Sequence, residues 1–273
     1  MESNLEISLC MIVKNEENIL DKCLDHIHRY VDEIIIIDTG STDKTVEIAK
    51  KYTDKIYYFV WNNNFAEARN SSLQYATKEW LLVQDADEFI QNPWKIKEFL
   101  RNTSADCVAL SKINVYGDQS VANPFAEIEN SQAKYFTSQE KLLRNHRGLK
   151  FTGAVHEVVI DETMNRPKII SFPEKLFHLM ALNTKNNKSK YYNKLGKQAL
   201  YDGDRNVNLL VRHLLFSLET GNVSEFYELF DEFSGKLKYE VRMSFLLPDF
   251  DKHLGRVSPP YKKRFLAWVA NVV

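Results

Sequence analysis

Cysteine is scarce in this chain of 273 residues, and the three cysteines that occur are far apart. Cys10, Cys23 and Cys107 are odd in number and form no Cys-x-x-Cys pair. Disulfide scaffolds and structural zinc sites require paired cysteines at short, regular spacings. We therefore expect neither of them, and a chain of this length can bury its own core without such crosslinks.

Long apolar runs and an excess of charge of either sign are also missing. No segment approaches the ~20 apolar residues that span a bilayer, and the start, MESNLEISLC, carries acids where a signal peptide has a basic region. Lys and Arg number 36 against 37 Asp and Glu, a formal net charge of -1. This balance gives no electrostatic reason to expect nucleic acid as a partner. The sequence predicts a soluble, cytoplasmic protein.

The sequence also lacks the glycine-rich loops that cradle phosphate groups. It contains no Gly-x-Gly-x-x-Gly, and in the segment GSTDKT Asp43 stands where a P-loop has the glycine before its lysine. If phosphate groups bind to this chain, a metal ion must therefore neutralise much of their charge.

The first hundred residues alternate between short β-branched runs and amphipathic stretches, a pattern typical of a parallel sheet covered by helices. Strands are predicted over 7–13, 33–38, 55–60 and 80–84, and helices over 42–52 and 65–76. Asn15 is predicted to cap an earlier helix whose apolar face contains Leu20, Leu24 and Ile27. The expected fold class is α/β.

Acidic residues follow two of these strands. Asp38 ends the second strand, and Asp85, Asp87 and Glu88 follow the fourth in the stretch WLLVQDADEF. In open α/β sheets the ligand crevice lies beyond the carboxyl ends of the strands, so we expect these acids to converge there. Capping of a helix or loop is the alternative role for a single such Asp. An Asp-x-Asp pair can instead hold Mg²⁺ or Mn²⁺, with water or phosphate oxygens at the remaining positions, which favours a nucleotide diphosphate.

Four segments of the sequence resemble the nucleotide-sugar-binding half of family 2 glycosyltransferases. In chain order they are SLCMIVKNEEN, VDEIIIIDTGSTDKTVEIA, FAEARNSSL and LLVQDADEF. The later FTGAVHEVV and KLFHLMALN resemble a bacterial subgroup that includes sublancin-type peptide S- or O-glycosyltransferases and lipopolysaccharide-core β-glucosyltransferases. The resemblance is specific over residues 7–90 and weak beyond Asn183. It implies a GT-A fold, which is Rossmann-like with a mostly parallel sheet flanked by helices, here with a helical C-terminal extension.

The resemblance also implies roles for individual residues in binding a UDP-sugar. Asp38 would contact the uracil or ribose, Asp85 would lie near the ribose, and Asp87 would ligate the metal ion that bridges the diphosphate. The other donor-site residues that it implies are Ile12, Asn15 and Arg69. The guanidinium of Arg69 has a fixed charge and a planar fork suited to base edges or phosphate, and a surface position is its alternative.

An inverting transfer needs a base for the acceptor proton and a metal ion for the departing UDP. The family commonly places an acidic pair at the start of the acceptor region, but this chain has AVHEVV there, so Glu157 or His156 is the predicted base. Ile160 stands where a His-Glu-x-x-His metalloprotease motif has its second histidine. His178 matches a position at which such enzymes bring a histidine to the metal or diphosphate, and imidazole is a suitable Mn²⁺ ligand. The alternative for His156 is a strand histidine with a purely structural role, and the alternative for His178 is an edge histidine with no metal role.

The alternating pattern gives way to helix after Asn183. The segment NVNLLVRHLLFSLETGNVSEFYELFDEF predicts two amphipathic helices joined at Gly221-Asn222, like one tetratricopeptide-type hairpin. The predicted domains are a catalytic domain over 1–182, with a nucleotide-sugar half (1–92) and an acceptor half (93–182), and a helical extension over 183–273. The extension is expected to pack on the catalytic domain or to form a homodimer interface. The terminal YKKRFLAWVANVV predicts a helix that either contacts a membrane surface weakly or docks its apolar face on the protein.

These features predict a metal-dependent inverting glycosyltransferase. It would move a hexose, glucose or N-acetylglucosamine, from a UDP-sugar to a peptide side chain or a bacterial glycan. A sugar-phosphate nucleotidyltransferase is the alternative enzyme, disfavoured because CMIVKNEEN has no glycine for a phosphate loop. An inactive nucleotide-fold interaction protein is the non-enzymatic alternative. The presence of Asp38, Asp85 and Asp87 disfavours it, and the missing acidic pair favours it.

Overall fold

The computed structural model describes residues 5–131, 134–181, 185–203, 207–235, 250 and 252–272 of the chain. Its strands are β1 (Ile7–Val13), β2 (Glu33–Asp38), β3 (Ile56–Tyr58), β4 (Trp80–Val83), β5 (Glu88–Ile90), β6 (Cys107–Gly117), β7 (Lys134–Arg144), β8 (Lys150–Thr152), β9 (Val158–Ile160) and β10 (Ile169–Ala181). Its helices are α1 (Leu20–Ile27), α2 (Thr45–Ala49), α3 (Phe65–Gln74), α4 (Ile96–Arg101), α5 (Pro124–Asn130), α6 (Lys185–Tyr201), α7 (Val207–Glu219), α8 (Val223–Phe233) and α9 (Pro259–Val272).

One sheet of eight strands has the order β3-β2-β1-β4-β7-β6-β10-β5. The first four strands in this order run parallel to one another. β7 is antiparallel to both of its neighbours, β10 is parallel to β6, and β5 is antiparallel to β10. β8 and β9 form a separate two-stranded ribbon. The predicted α/β class, a mostly parallel sheet flanked by helices with further helices towards the C-terminus, is confirmed.

β1 and β2 are buried on both faces because helices cover both sides of the sheet. Leu9 and Met11 belong to the apolar cluster that includes Leu24 of α1. Cys10 and Ile35 belong to the cluster that includes Ala66 of α3. Since successive side chains of a strand point to opposite faces, an unbroken apolar run fills both clusters at once. The predicted bounds of these two strands are therefore reproduced residue for residue.

The two elements that follow β2 are shorter than predicted. α2 covers Thr45–Ala49 rather than 42–52, and β3 covers Ile56–Tyr58 rather than 55–60. After α2, the Thr53 hydroxyl donates to the Ile34 carbonyl at 2.8 Å and returns the chain to the sheet. A helical pattern in the sequence does not reveal such a bond between distant residues, so the helix was predicted too long.

The prediction that Asn15 caps the first helix was wrong. α1 begins at Leu20, and its N-cap is Ile19, whose side chain has no hydrogen-bonding group. Asn15 has φ = +55°, a left-handed conformation that Asn adopts more readily than most residues. Its side-chain oxygen accepts the Thr42 N–H at 2.8 Å. The amide therefore binds the loop after β2, because that loop presents a donor to it and the helix begins too far along the chain.

The chain divides into two compact units. The first comprises Met1–Thr152 and Glu157–Lys185, and the second comprises Gly153–His156 and Asn186–Val273. The predicted domain boundary between residues 182 and 183 lies outside the described residues. Packing of the helical extension on the catalytic domain, a homodimer interface and the subdivision at residue 92 stay predictions.

The second unit contains the predicted helical hairpin. α7 and α8 pack against each other. Gly221 in their connection has φ = +79°, which suits glycine because it has no Cβ. Asn222 caps α8 by accepting the N–H of Glu225. The hairpin predicted at Gly221-Asn222 is confirmed.

α9 buries the apolar residues of the terminal segment against α8. Phe265 is fully buried, with its ring 5.6 Å from that of Phe226 and 5.9 Å from that of Phe230. Lys262 and Lys263 are exposed. These contacts show the docking that was one predicted role of this helix, and weak contact with a membrane surface stays a prediction. Over the described ranges, no helix combines the length and the apolarity needed to cross a bilayer.

A buried histidine on α7 predicts that the second unit is sensitive to acid. Burial lowers the pKa of His213 to about 4, whereas an unfolded histidine titrates near 6.5. Between these pH values only the unfolded chain binds the proton. The free energy of unfolding should therefore fall as the pH drops from 6.5 to 4, by up to about 3 kcal/mol for this group.

The measurement is urea unfolding across this pH range, followed by helical circular dichroism. His213→Gln removes the titrating group, so its unfolding free energy should fall less steeply with acid, by about one proton. His146→Gln, which removes an exposed imidazole, is the control. An unchanged slope in the His213 variant would show that this histidine is not buried in its neutral form.

Candidate active site

The carboxyl ends of β1 and its two neighbours lie side by side at one edge of the sheet. Val13 of β1 is in register with Asp38 of β2, and β4 lies parallel to β1 on its other side. β2 and β3 follow one another on one side of β1, and the next strand, β4, lies on the other side, so the strand order reverses at β1. Open α/β sheets bind ligands at such a switch point. Asp38 and Asp85 share this edge as the sequence predicted, and Asn15, which follows β1, lies at the same edge.

The carboxylate of Asp38 shapes the turn after β2. It accepts the N–H groups of Gly40 and Ser41 at 3.1–3.2 Å. Gly40 has φ = +102°, where a side chain would be strained. The Asp38 carboxylate thus caps this turn, which is the structural role that the sequence left open beside ligand binding. Contact of Asp38 with the uracil or ribose stays a prediction, as do the base contacts of Asn15 and of Ile12, which is half-buried beside this turn.

Arg69 is buried, which removes the alternative of a surface residue. It lies on α3 with 6% of its surface exposed. Its Nη1 donates to Asp85 Oδ1 at 2.8 Å, and its Nε donates to Glu157 Oε1 at 2.5 Å. Burial by itself lowers the pKa of the guanidinium, but the two carboxylates outweigh this effect and raise that pKa. Arg69 is therefore a permanent cation that links two predicted site residues.

Two buried lysines neutralise acids of the segment 85–88, which we call the DADE segment. Lys141 of β7 places its Nζ 2.7 Å from Glu88 Oε2 and 3.8 Å from Asp85 Oδ2. Lys112 of β6 places its Nζ 2.6 Å from Glu88 Oε1. Burial opposes the ionisation of both acids. The cations outweigh it, so that Arg69, Lys141 and Lys112 hold the pKa of Asp85 well below its usual value, and the two lysines lower the pKa of Glu88.

These contacts define a buried charge cluster with three cations and three carboxylates. Its members are Arg69, Lys112, Lys141, Asp85, Glu88 and Glu157. The formal charges cancel, and every member side chain is at most 25% exposed. Much of the negative charge that the sequence concentrates after β4 is thus balanced by the protein itself.

Asp87 and His178, the two predicted metal ligands, meet although they are 91 residues apart. His178 Nε2 lies 3.2 Å from Asp87 Oδ2, and His178 Nδ1 lies 2.8 Å from Asn114 Oδ1. The amide nitrogen of Asn114 donates to the Thr137 hydroxyl, so its oxygen faces the imidazole and accepts the Nδ1 proton. In the neutral ring, Nε2 then directs a lone pair towards a carboxylate oxygen. A proton or a metal cation held between these two atoms would stabilise the arrangement.

The same residues fit a divalent ion with two protein ligands. Carboxylate and imidazole both bind Mn²⁺, and an oxygen that accepts the second ring N–H is a common support for a ligating histidine. Within the described part of the chain, no group of three or more His, Cys, Asp or Glu side chains is placed to hold a metal ion. Asp87 and His178 would therefore leave several positions to phosphate oxygens and water. The metal role of both residues stays a prediction.

The two candidate bases have different surroundings. Glu157 belongs to the first unit, is 10% exposed in its side chain and is bonded to Arg69. His156 belongs to the second unit. Burial lowers the pKa of His156 to about 3, with a smaller contribution from the positive charge of Arg212. An imidazole with so low a pKa binds a proton weakly, so the surroundings favour Glu157, and the assignment stays a prediction.

Lys112, Lys141 and Asn114 belong to this site but lie outside the sequence motifs. A sequence signal does exist, because Lys112 and Asn114 interrupt the apolar strand VALSKINVYG at alternate positions and must face the same side. Lysines in such strands are almost never fully buried unless they are paired. The sequence does not say which acids they face, because that depends on the order of the strands.

Comparison with protein families matches residues 8–161 to the model described as glycosyl transferase family 2, which is more than half of the chain. A TPR repeat-containing protein of Synechococcus elongatus is 33% identical over 163 residues, which cover 58% of this chain and 36% of that protein. The glycosyltransferase SunS of Bacillus phage SPbeta is 31% identical over 176 residues, which cover 63% of this chain and 39% of SunS. This chain therefore spans less than two fifths of the length of either relative.

Among solved structures, the crystal structure of S. aureus TarS 1-349 in complex with UDP is similar to this chain with 15% sequence identity and a TM-score of 0.45. The similarity covers 92% of this chain and 89% of that chain.

Proposed function

The chain belongs to glycosyl transferase family 2, and from this membership we propose that it transfers a hexose from a UDP-sugar to an acceptor with the help of Mn²⁺ or Mg²⁺. The family membership predicted from the motifs is confirmed. The main support for a metal-dependent transfer from a UDP-sugar is the contact between Asp87 and His178 next to the buried charge cluster. The GT-A fold that the family implies agrees with the observed sheet.

Donor binding is assigned to the edge at which β1, β2 and β4 end. Asp38 and Asn15 hold the loops there in shape, and Ile12 offers an apolar side chain to the uracil ring of the donor. Asp85 would lie near the ribose. Arg69 contributes by holding Asp85 and Glu157 in place, since its bonds to both carboxylates are short.

The metal ion is assigned to Asp87 and His178. When bound, it would neutralise charge on the diphosphate and stabilise UDP as the leaving group. Asn114 holds the ring of His178 so that Nε2 faces Asp87. The amide nitrogen of Gln119 lies 3.5 Å from Asp87 Oδ2 and can orient that carboxylate.

Glu157 is assigned as the base of an inverting transfer. The acceptor oxygen or sulfur forms its bond to the anomeric carbon as the bond from that carbon to the phosphate oxygen breaks, and UDP leaves with the electron pair. The acceptor proton passes to the carboxylate. Because Arg69 occupies Oε1, we assign the proton to Oε2 of Glu157.

The sugar is assigned as glucose or N-acetylglucosamine, and the acceptor as a peptide side chain or a bacterial glycan. Family membership disfavours a sugar-phosphate nucleotidyltransferase. An inactive family member that serves only as an interaction protein would bind no donor, which the following experiment tests.

Thermal unfolding with a panel of nucleotide diphosphates and UDP-sugars, each with and without Mn²⁺, tests the proposal. We expect stabilisation by uridine compounds only, and only with metal. A ligand at 100 times its Kd should stabilise the folded state by about 2.7 kcal/mol. Mn²⁺ alone and ADP with Mn²⁺ are the controls. Absence of a shift with every nucleotide would contradict the proposed function, and the sugar that gives the largest shift would identify the donor.

A further inference from the structure

Glu88 ends the DADE segment (85–88) and begins β5, and the proposed chemistry gives it no role. Its side chain has no exposed surface. The carboxylate accepts the Asp85 N–H at 2.9 Å and lies within 2.7 Å of the ammonium groups of Lys112 and Lys141. One carboxylate thus joins the turn after β4 to two strands, β6 and β7.

The backbone of the same turn is held from two further directions. The Glu88 carbonyl accepts the side-chain N–H of Gln84 at 2.8 Å and the thiol of Cys23 at 3.3 Å. The Asp87 carbonyl accepts the N–H of Leu179, the neighbour of His178, at 2.9 Å. The position of Asp87 relative to His178 therefore depends on how the whole turn is held.

Stability alone does not explain two buried lysines around one buried glutamate. Removing charges from water carries a large desolvation penalty, and well-packed apolar residues of similar volume are often equally or more stabilising. What ion pairs add is a distance requirement, because the attraction between an ammonium group and a carboxylate weakens as the two separate. A buried set of ion pairs therefore suits a segment whose exact placement matters.

We propose that Glu88, held between Lys112 and Lys141, is a positioning residue that sets the turn over 84–88 so that Asp87 reaches His178 and Asp85 reaches Arg69. The proposal rests on the proposed function, in which Asp87 and His178 hold the metal ion. Lys112 and Lys141 act through Glu88 and touch neither donor nor acceptor in this assignment.

Cys23 reports on the turn without any ligand. It is fully buried on α1, and its sulfur lies 3.7 Å from the Asp85 carbonyl and 3.3 Å from that of Glu88. Cys10 and Cys107 are also buried but lie in β1 and at the start of β6. Alkylation with iodoacetamide, followed by peptide mass analysis, measures the three thiols separately. In Glu88→Gln we expect Cys23 to react several-fold faster and the other two cysteines to keep their rates.

The consequence for the donor site is measured as the Mn²⁺ concentration that gives half of the thermal shift with UDP. Loss of a direct outer partner of a metal ligand typically weakens metal binding about 10- to 100-fold. Glu88 acts through the backbone of the turn and bonds neither proposed ligand through its carboxylate, so we expect an increase near the lower end of this range, about 10-fold, for Glu88→Gln. Glu33→Gln is the matched control. Glu33 is also a buried glutamate bonded to a lysine, Lys55, but it begins β2 and lies far along the strand from Asp38.

Glu88→Gln leaves two lysines around a neutral side chain and can prevent folding. Glu88→Gln combined with Lys141→Met removes one charge of each sign, so this variant should unfold at a higher temperature than Glu88→Gln alone. It should keep the increased Mn²⁺ requirement and the faster labelling of Cys23, because the turn remains loosened.

Three results would overturn the positioning role. They are a protected Cys23 in the folded variants, an unchanged Mn²⁺ requirement, and equal acceleration of all three cysteines, which would show general destabilisation. If the unchanged protein itself gives no shift with UDP and Mn²⁺, the proposed function fails. The labelling of Cys23 still decides in that case whether Glu88 holds the turn.

Discussion

Asp87→Asn is expected to abolish metal-dependent binding of UDP. The substitution keeps the size of the side chain but removes its negative charge, and Mg²⁺ and Mn²⁺ are hard cations that favour carboxylate oxygens. Asp87 and His178 are the two protein ligands in the proposed site, so the loss leaves the imidazole as the remaining one. Isothermal titration calorimetry with UDP, in Mn²⁺ and in EDTA, measures the effect. The unchanged protein should show Mn²⁺-dependent heat, and the variant should show none.

The control for this prediction is Asp106→Asn, which changes a carboxylate paired with Arg144 and Arg147 at the protein surface. It should leave the binding of UDP unaltered. His178→Gln should weaken the metal dependence as well, because it removes the second ligand. Calorimetry of Asp87→Asn that matches the unchanged protein in Mn²⁺ would refute the metal assignment and would leave the contact between Asp87 and His178 a structural hydrogen bond.

Glu157→Gln is expected to retain donor binding and to lose transfer. Glutamine keeps the shape of the side chain and an oxygen that can accept from Nε of Arg69, but it cannot take the acceptor proton. Loss of a general base typically lowers the rate by about 10²- to 10⁴-fold. The measurement is the rate of UDP release with donor and acceptor present, together with the Kd for UDP.

Two further variants separate proton transfer from positioning. Asp85→Asn breaks the other ion pair of Arg69 but leaves Glu157 in place, so it weakens the charge cluster without removing the base. Because Asp85 is also assigned to the donor site, the Kd of this variant for UDP separates that contact from the effect on the rate. His156→Gln should keep most of the activity. Near-full activity of Glu157→Gln would give the role of base to His156 or to another acid. A loss of UDP binding equal to the loss of rate would make Glu157 a positioning residue instead.

The elements that sequence patterns predicted best are those governed by local rules. The bounds of β1 and β2 are correct because each is a short, continuous apolar run with both faces buried. The hairpin of α7 and α8 is correct because Gly221 and Asn222 are chemically suited to the end of one helix and the start of the next. The capping role predicted for Asn15 was wrong because its amide binds the loop after β2, which only the folded chain brings close.

The sequence by itself determined the α/β class, membership of the family and the presence of Asp38 and Asp85 at one edge of the sheet. Periodicity reports which residues form strands, and the carboxyl ends of parallel strands lie at the same edge of a sheet. Only the tertiary structure decided which cations face these acids. Lys141 and Lys112 meet Glu88 because β7 and β6 are inserted between β4 and β10 in the sheet. The order of strands follows from the packing of the whole chain, and no local pattern encodes it.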